Sequence, residues 1–267
     1  MAIPAQSQGQ NAEARLGSKT EMLAAIRAAL GGAPGGGHAE PCVSATPSPA
    51  APREELVSQF CAELEKVGGH TIQVQNGGQI RDYIEGILGA HASSVPGTPS
   101  IAISDGAHRL QPGLRAWIKD RGLDLITSLR ESEPIDPDGY KRALFESAMG
   151  VSTADFAIAD TGTLVLVSER NPQAASNAAS RDARNGGDQH RLISLVPPTH
   201  VCLLDANRIL PNLAALITHV NARYYSDGES PLAMTFITGP SRTADIELTL
   251  TMGVHGPREL HVLVYAG

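Results

Sequence analysis

From residue 54 onward the chain alternates between two hydrophobic rhythms. Helix-period segments at Glu54–Val67, Gly78–Leu88 and Leu110–Arg121 are interleaved with short extended runs at Thr71–Val74, Ser100–Ser104 and Leu123–Ser128. Asp138–Gly150 continues the pattern as a helix, followed by strands at Phe156–Ala159 and Thr163–Val167 on either side of an Asp-Thr-Gly break. A second round places Thr199–Leu204 extended, Arg208–Tyr225 helical and Met234–Thr238 extended. Such alternation predicts an α/β fold with a mostly parallel sheet flanked by helices, since parallel neighbours need crossover connections. Beyond Gly239 the rhythm changes to period two, with Ala244, Ile246, Leu248, Leu250, Met252 and Val254 alternating with smaller or polar residues. With His261–Tyr265 after the His255-Gly256-Pro257 turn, this end predicts an antiparallel hairpin closing the sheet edge.

The first fifty residues read differently. Ser18–Leu30 spaces Met22, Ile26 and Leu30 as a helix, with Ser18 as a candidate N-cap, Glu21 three residues later and Gly31-Gly32 as a stop. Residues 31–52 are Gly, Ala, Pro and Ser with almost no large apolar side chain, too little to repay the entropy of ordering. The expected organisation is a helical arm and flexible linker over residues 1–53, then one domain over 54–267.

Composition narrows the function classes. Hydrophobic residues make up 42% and charged residues 18%, enough apolar material for a sizeable core. A net charge of −7 removes the electrostatic attraction that dominates nucleic-acid affinity, so nucleic acid is not an expected partner. No apolar run reaches the roughly 18 residues of a spanning helix, and Met1–Leu16 lacks the basic start and apolar stretch of a secretory signal, which points to the cytoplasm. Cys42, Cys61 and Cys202 are scattered, whereas an iron–sulfur cluster takes about four closely spaced thiolates. No cofactor or metal is expected in this chain, and Walker, G-x-G-x-x-G and G-x-S-x-G patterns do not occur.

Four polar clusters interrupt the apolar strands: Asp160-Thr161-Gly162-Thr163, Arg191 with Pro197-Pro198-Thr199-His200, Gly239-Pro240-Ser241-Arg242-Thr243 with Asp245 and Glu247, and His255-Gly256-Pro257. Strand ends are where open α/β sheets bind ligands. In the third cluster Gly239 permits a tight turn, Ser241 and Thr243 offer hydroxyls, and Arg242 offers a planar fork for carboxylate or phosphate, together an anion cradle. The alternative is an ordinary turn with Arg242 paired to Asp245 or Glu247. Asp160-Thr161-Gly162 matches an aspartic-protease signature, but that chemistry needs two such loops and the chain has one; a turn or a pocket wall through Thr161 and Gly162 accounts for it better. Glu247, Asp160, His255 and His200 are the candidate catalytic groups, the two histidines as proton carriers near neutral pH.

The same stretches carry a resemblance. Ala159-Asp160-Thr161-Gly162-Thr163-Leu164, Ser194-Leu195-Val196-Pro197-Pro198-Thr199-His200, Ile237–Glu247 (ITGPSRTADIE) and Gly253-Val254-His255-Gly256-Pro257 resemble, in order and content, the lactate utilization protein C family with its LUD domain, over roughly residues 54–267. The resemblance implies a fold similar to sugar-phosphate isomerases and CoA transferases (the NagB/RpiA/CoA-transferase-like class). It also implies work beside iron–sulfur partner proteins in oxidising L-lactate to pyruvate, with this chain as a cluster-free component that binds a small carboxylate or phosphate. Two other readings stand beside it: an independent isomerase or acyl-transfer enzyme using Glu247 or Asp160, and a regulatory or scaffolding module with a vestigial pocket. Ser168–His190 departs from the family as an Ala/Ser/Asn/Gly-rich insertion, either a lid or partner-facing loop or a tolerated surface insertion.

Overall fold

The computed structural model describes residues 51–91, 98–127, 137–168, 191–225, 233–244 and 250–265. The expected arm and most of its linker, all of the Ser168–His190 insertion except Ser168, and Asp245 and Glu247 lie outside them. The described part opens with α1 (Arg53–Lys66), which turns Leu56, Val57, Phe60 and Leu64 inward at helical spacing. Glu54 and Glu55 in its first turn and Lys66 in its last complement the helix dipole. The helix ends in a Schellman motif: the Gly68 N–H donates to Glu65 O at 2.9 Å and the Gly69 N–H to Leu64 O at 3.0 Å. Gly68 holds φ 84°, a left-handed position open to glycine at little cost.

Then follow β1 (His70–Val74), α2 (Gly77–His91), β2 (Ser100–Ile103), α3 (Asp105–Leu110), α4 (Gly113–Asp120), β3 (Asp124–Thr127), α5 (Pro137–Glu146) and β4 (Met149–Thr153). After β5 (Phe156–Ile158) and β6 (Thr163–Ser168) come β7 (Thr199–Asp205), a 3-10 turn at Ala206–Arg208, β8 (Ile209–Leu210), α6 (Leu213–Val220) with a π turn at Asn221–Tyr225, β9 (Ala233–Ile237), β10 (Arg242–Ala244), β11 (Leu250–Met252) and β12 (Glu259–Tyr265). The main sheet has six strands in the order β1-β12-β7-β4-β2-β3, every neighbouring pair parallel. A second sheet, β8-β5-β6-β9, is mixed, and β10 and β11 form an antiparallel ribbon.

Side-chain alternation explains the layering. Cys202, Leu204, Val262 and Val264 leave one face of the main sheet and pack with Phe60 and Leu64 of α1 and with Ala157, Leu164 and Leu166 of the second sheet. Ile101, Ile103, Val151, Val201 and Leu263 leave the other face against Ile80 and Ile84 of α2 and Ile118 of α4. On the second sheet Phe156, Ile158, Val165 and Val167 cover Leu216 and Val220 of α6. β6 is therefore buried on both faces, and this accounts for its unbroken apolar run.

The α/β class with a mostly parallel, helix-flanked sheet is the one expected, and four local readings change. The helix expected over Asp138–Gly150 stops at Glu146, and Met149–Thr153 is β4, a fully parallel inner strand between β7 and β2. Its Gly150 lies so close under the Ile193 carbonyl that a side chain there would collide with it, and Ser152 points inward, so neither rhythm is visible in five residues. The helix expected over Leu110–Arg121 begins only at Gly113, as α4, and a separate short helix missed by that reading, α3 (Asp105–Leu110), precedes it across Gln111-Pro112. That over Arg208–Tyr225 begins only at Leu213, after Pro211, with Asn212 as N-cap accepting from the Ala215 N–H at 3.0 Å. Among the described residues the antiparallel pairing of the C-terminal region joins β10 to β11, while β12 lies inside the main sheet, parallel to both β1 and β7.

Candidate functional site

The four polar clusters gather around the amino-terminal edge of the main sheet. Thr199 and Glu259 begin β7 and β12 there, and the Arg258 N–H donates to Pro198 O at 2.8 Å, tying the second cluster to the fourth. The Ser241 N–H donates to Pro257 O at 2.8 Å and the Gly253 N–H to Ser241 O at 3.0 Å, tying the third to the fourth. Thr163 Oγ1 lies 2.8 Å from both Thr161 Oγ1 and Thr238 Oγ1, tying the first to the third.

The last turn of α1, which leads directly into β1, is the hub of this belt. Gly162, at φ 59°, is pressed so close to the helix backbone that a Cβ would lie 2.7 Å from Leu64 Cα and 2.8 Å from the Glu63 carbonyl carbon. Gly239 meets Val67, and the guanidinium of Arg242 lies over Gly68. A cation there faces the negative end of the helix dipole.

The remaining candidates can be placed individually. Asp160 is exposed in the β5–β6 turn, its N–H donating to Pro211 O at 3.2 Å. Thr161 and His255 are exposed, and Arg242 and Thr243 pair with Met252 and Thr251 in the ribbon. Ser241 has already given its amide to Pro257, so the third loop does not present that N–H to a ligand. His200 is a correction. It is fully buried in β7, its Nε2 hydrogen-bonded to Ser152 Oγ at 2.8 Å, and burial, reinforced by His261, lowers its pKa to about 3. It is a neutral core histidine, because an imidazolium there would lose its hydration without gaining an anion.

None of those candidates lines either of two cavities formed by described residues. One, of about 400 Å³, opens between α2 and the starts of β1 and β12. On its wall His261 joins Tyr83 Oη (3.0 Å from Nδ1) to Glu259 Oε2 (3.3 Å from Nε2), and His70 stacks on His261 with ring centroids 4.7 Å apart. Burial, then the Glu259 carboxylate, raises the Tyr83 pKa, so this phenol stays protonated. The other, of about 290 Å³, lies at the opposite, carboxyl-terminal edge of the main sheet. Arg109, Thr153, Asp155, Asp205 and Arg208 surround it, residues that sequence reasoning passed over. The signal was present as Thr153-Ala154-Asp155 and Asp205-x-x-Arg208, each at the end of a strand, but a helix expected through Gly150 hid the strand that ends at Thr153.

Among the described residues no group of three or more His, Cys, Asp and Glu side chains is arranged to hold a metal ion. Nor is any helix there long and apolar enough to cross a membrane.

The family model of the LUD domain matches residues 57–181 and 183–265, well over half of the chain and all but one residue of the span between its ends. The chain belongs to the LUD domain family. Lactate utilization protein C of Anoxybacillus flavithermus is 27% identical over 204 residues, 76% of this chain and 76% of that protein. Its counterpart from Geobacillus kaustophilus is 27% identical over 202 residues, 73% of this chain and 77% of that protein. A crystal structure of a DUF162 family protein from Deinococcus radiodurans superposes with a TM-score of 0.48 at 20% identity, covering 80% of this chain and 99% of that one. All four motif clusters fall within the span matched by the LUD domain, as does the cavity at the carboxyl-terminal edge.

Proposed function

We propose that this LUD-domain protein is a cluster-free component of the oxidation of L-lactate to pyruvate, acting in the cytoplasm on a small carboxylate beside iron–sulfur partner proteins. The similarity to proteins named lactate utilization protein C, spread over three quarters of both chains, carries this reading. The oxidation removes two electrons and two protons from lactate. In this scheme the electrons pass to clusters held by the partners. The cysteines support that division. Cys202 is fully buried, and burial, then the nearby Asp155 carboxylate, pushes its thiol far up, while burial also raises the thiol of half-buried Cys61. Neither favours the thiolate that ligates iron.

The deciding experiment is deletion of the gene in its own organism, with growth followed on L-lactate and on pyruvate as sole carbon source. Growth lost on lactate and kept on pyruvate is expected, together with co-purification of iron-containing partners with the tagged chain. Normal growth on lactate and a tagged chain that brings down no iron would overturn the reading. Lactate-independent turnover by the isolated chain would instead favour an enzyme acting alone.

A further inference from the structure

The structure assigns a binding site for a small hydroxylated carboxylate to the cavity at the carboxyl-terminal edge of the main sheet, between the ends of β2 and β4. The choice of a hydroxy acid rests on the functional reading above; the location rests on geometry alone.

Adjacent parallel strands β2 and β4 send the chain in opposite directions. From β2 it proceeds through α3 and α4 to β3, the outer neighbour on one side. From β4 it leaves through β5 and β6 and returns as β7, the neighbour on the other side. The connections part at this point and leave a crevice above the strand ends, the place where open α/β sheets receive their ligands. Residues that follow each strand line it: Arg109 from α3 after β2, Thr153 and Asp155 at the end of β4, Asp205 and Arg208 at the end of β7.

The lining selects the ligand. Arg109 and Arg208 are exposed, and among the described residues neither has an ion pair or hydrogen bond, leaving two planar forks for a carboxylate. Asp155 accepts the Val167 N–H at 2.7 Å, which fixes its carboxylate in the cavity wall, and Asp205 accepts the Asn207 N–H at 2.8 Å through one oxygen. The other Asp205 oxygen and the Thr153 hydroxyl suit a ligand hydroxyl. Two arginines against two aspartates leave the site nearly neutral, so a monoanion carrying a hydroxyl fits better than a phosphate dianion, which would meet the aspartates at close range. A volume of about 290 Å³ stands at the lower end of ligand pockets, too small to enclose a dinucleotide or an acyl-CoA.

The test is calorimetric and NMR titration of the full chain with sodium L-lactate, sodium propionate, inorganic phosphate and, as an ionic-strength control, sodium chloride. Saturable binding of L-lactate is expected, at least tenfold tighter than propionate or phosphate. Arg109→Ala and Arg208→Ala should each weaken it at least tenfold, with melting temperatures unchanged because both side chains are exposed, while Arg81→Ala on the outer face of α2 leaves it intact. Lactate binding that survives both cavity substitutions but is lost in Arg242→Ala would overturn this location and leave the proposed function standing. Propionate or phosphate bound as tightly as L-lactate would overturn the hydroxy-acid assignment. Absence of saturable binding by every probe would overturn the site altogether, whatever the growth phenotype.

Discussion

At the scale of single residues, the motif positions have a structural duty that residue type alone does not reveal. Gly162 touches the backbone of α1 in a left-handed conformation, so Gly162→Ala adds both a steric overlap and backbone strain. A loss of about 3 kcal/mol or more is expected in urea unfolding, far beyond what a surface turn would show. His200 makes a second prediction. The folded protein keeps its imidazole neutral down to about pH 3, whereas the unfolded chain protonates it near 6.5. Between these values the unfolded state binds more protons, so this contribution to stability is complete above about pH 6.5 and falls as the pH drops, with a slope of up to about 1.4 kcal/mol per pH unit. Urea midpoints compared between the native chain and His200→Gln at pH 7.5, 6.5, 5.5 and 4.5 should converge as the pH falls. A difference independent of pH would show that His200 does not titrate in this way. Sequence reading could nominate His200 by its neighbours Pro198 and Thr199, but burial by α1 and a second sheet is a tertiary property absent from that signal.

At the scale of elements, segments with a long, one-sided rhythm were legible and short, two-sided ones were not. α1 and α2 match their expected ranges within a few residues because a helix buried on one face displays its period over three or four turns. β4 has five residues buried on both faces, with a glycine and a serine inside it, and carries no periodic signal. This error had a cost for the candidate site, since the carboxyl-terminal cavity depends on where β4 ends. The start of α6 is set by capping chemistry rather than by hydrophobic period. Asn212→Ala removes the bond to the Ala215 N–H and should cost about 1 kcal/mol, measured as a lower denaturant midpoint with an unchanged m-value.

At the scale of the whole molecule, the class followed from the alternation of helices and strands, but the order of strands did not. Nothing in the rhythm of residues 259–265 distinguishes an outer strand from an inner one, because both faces of the main sheet are covered and a continuous apolar run suits either. The distinction can be tested. An outer hairpin could be removed with modest loss, whereas a chain ending at residue 258 would lack the strand joining β1 to β7. It should show no cooperative unfolding transition by circular dichroism; a retained transition would place β12 outside the sheet.

The seat of β12 also bears on how the protein is made. His70 pairs with His261 across nearly the whole domain, so β1 and β7 emerge from the ribosome long before the strand that belongs between them exists. Until residues 259–265 arrive, both offer raw hydrogen-bonding edges to any other extended peptide in reach. Chaperone demand and a tendency to cross-associate during rapid overexpression are the expected price of that late insertion, and slowing synthesis should raise the recovered yield.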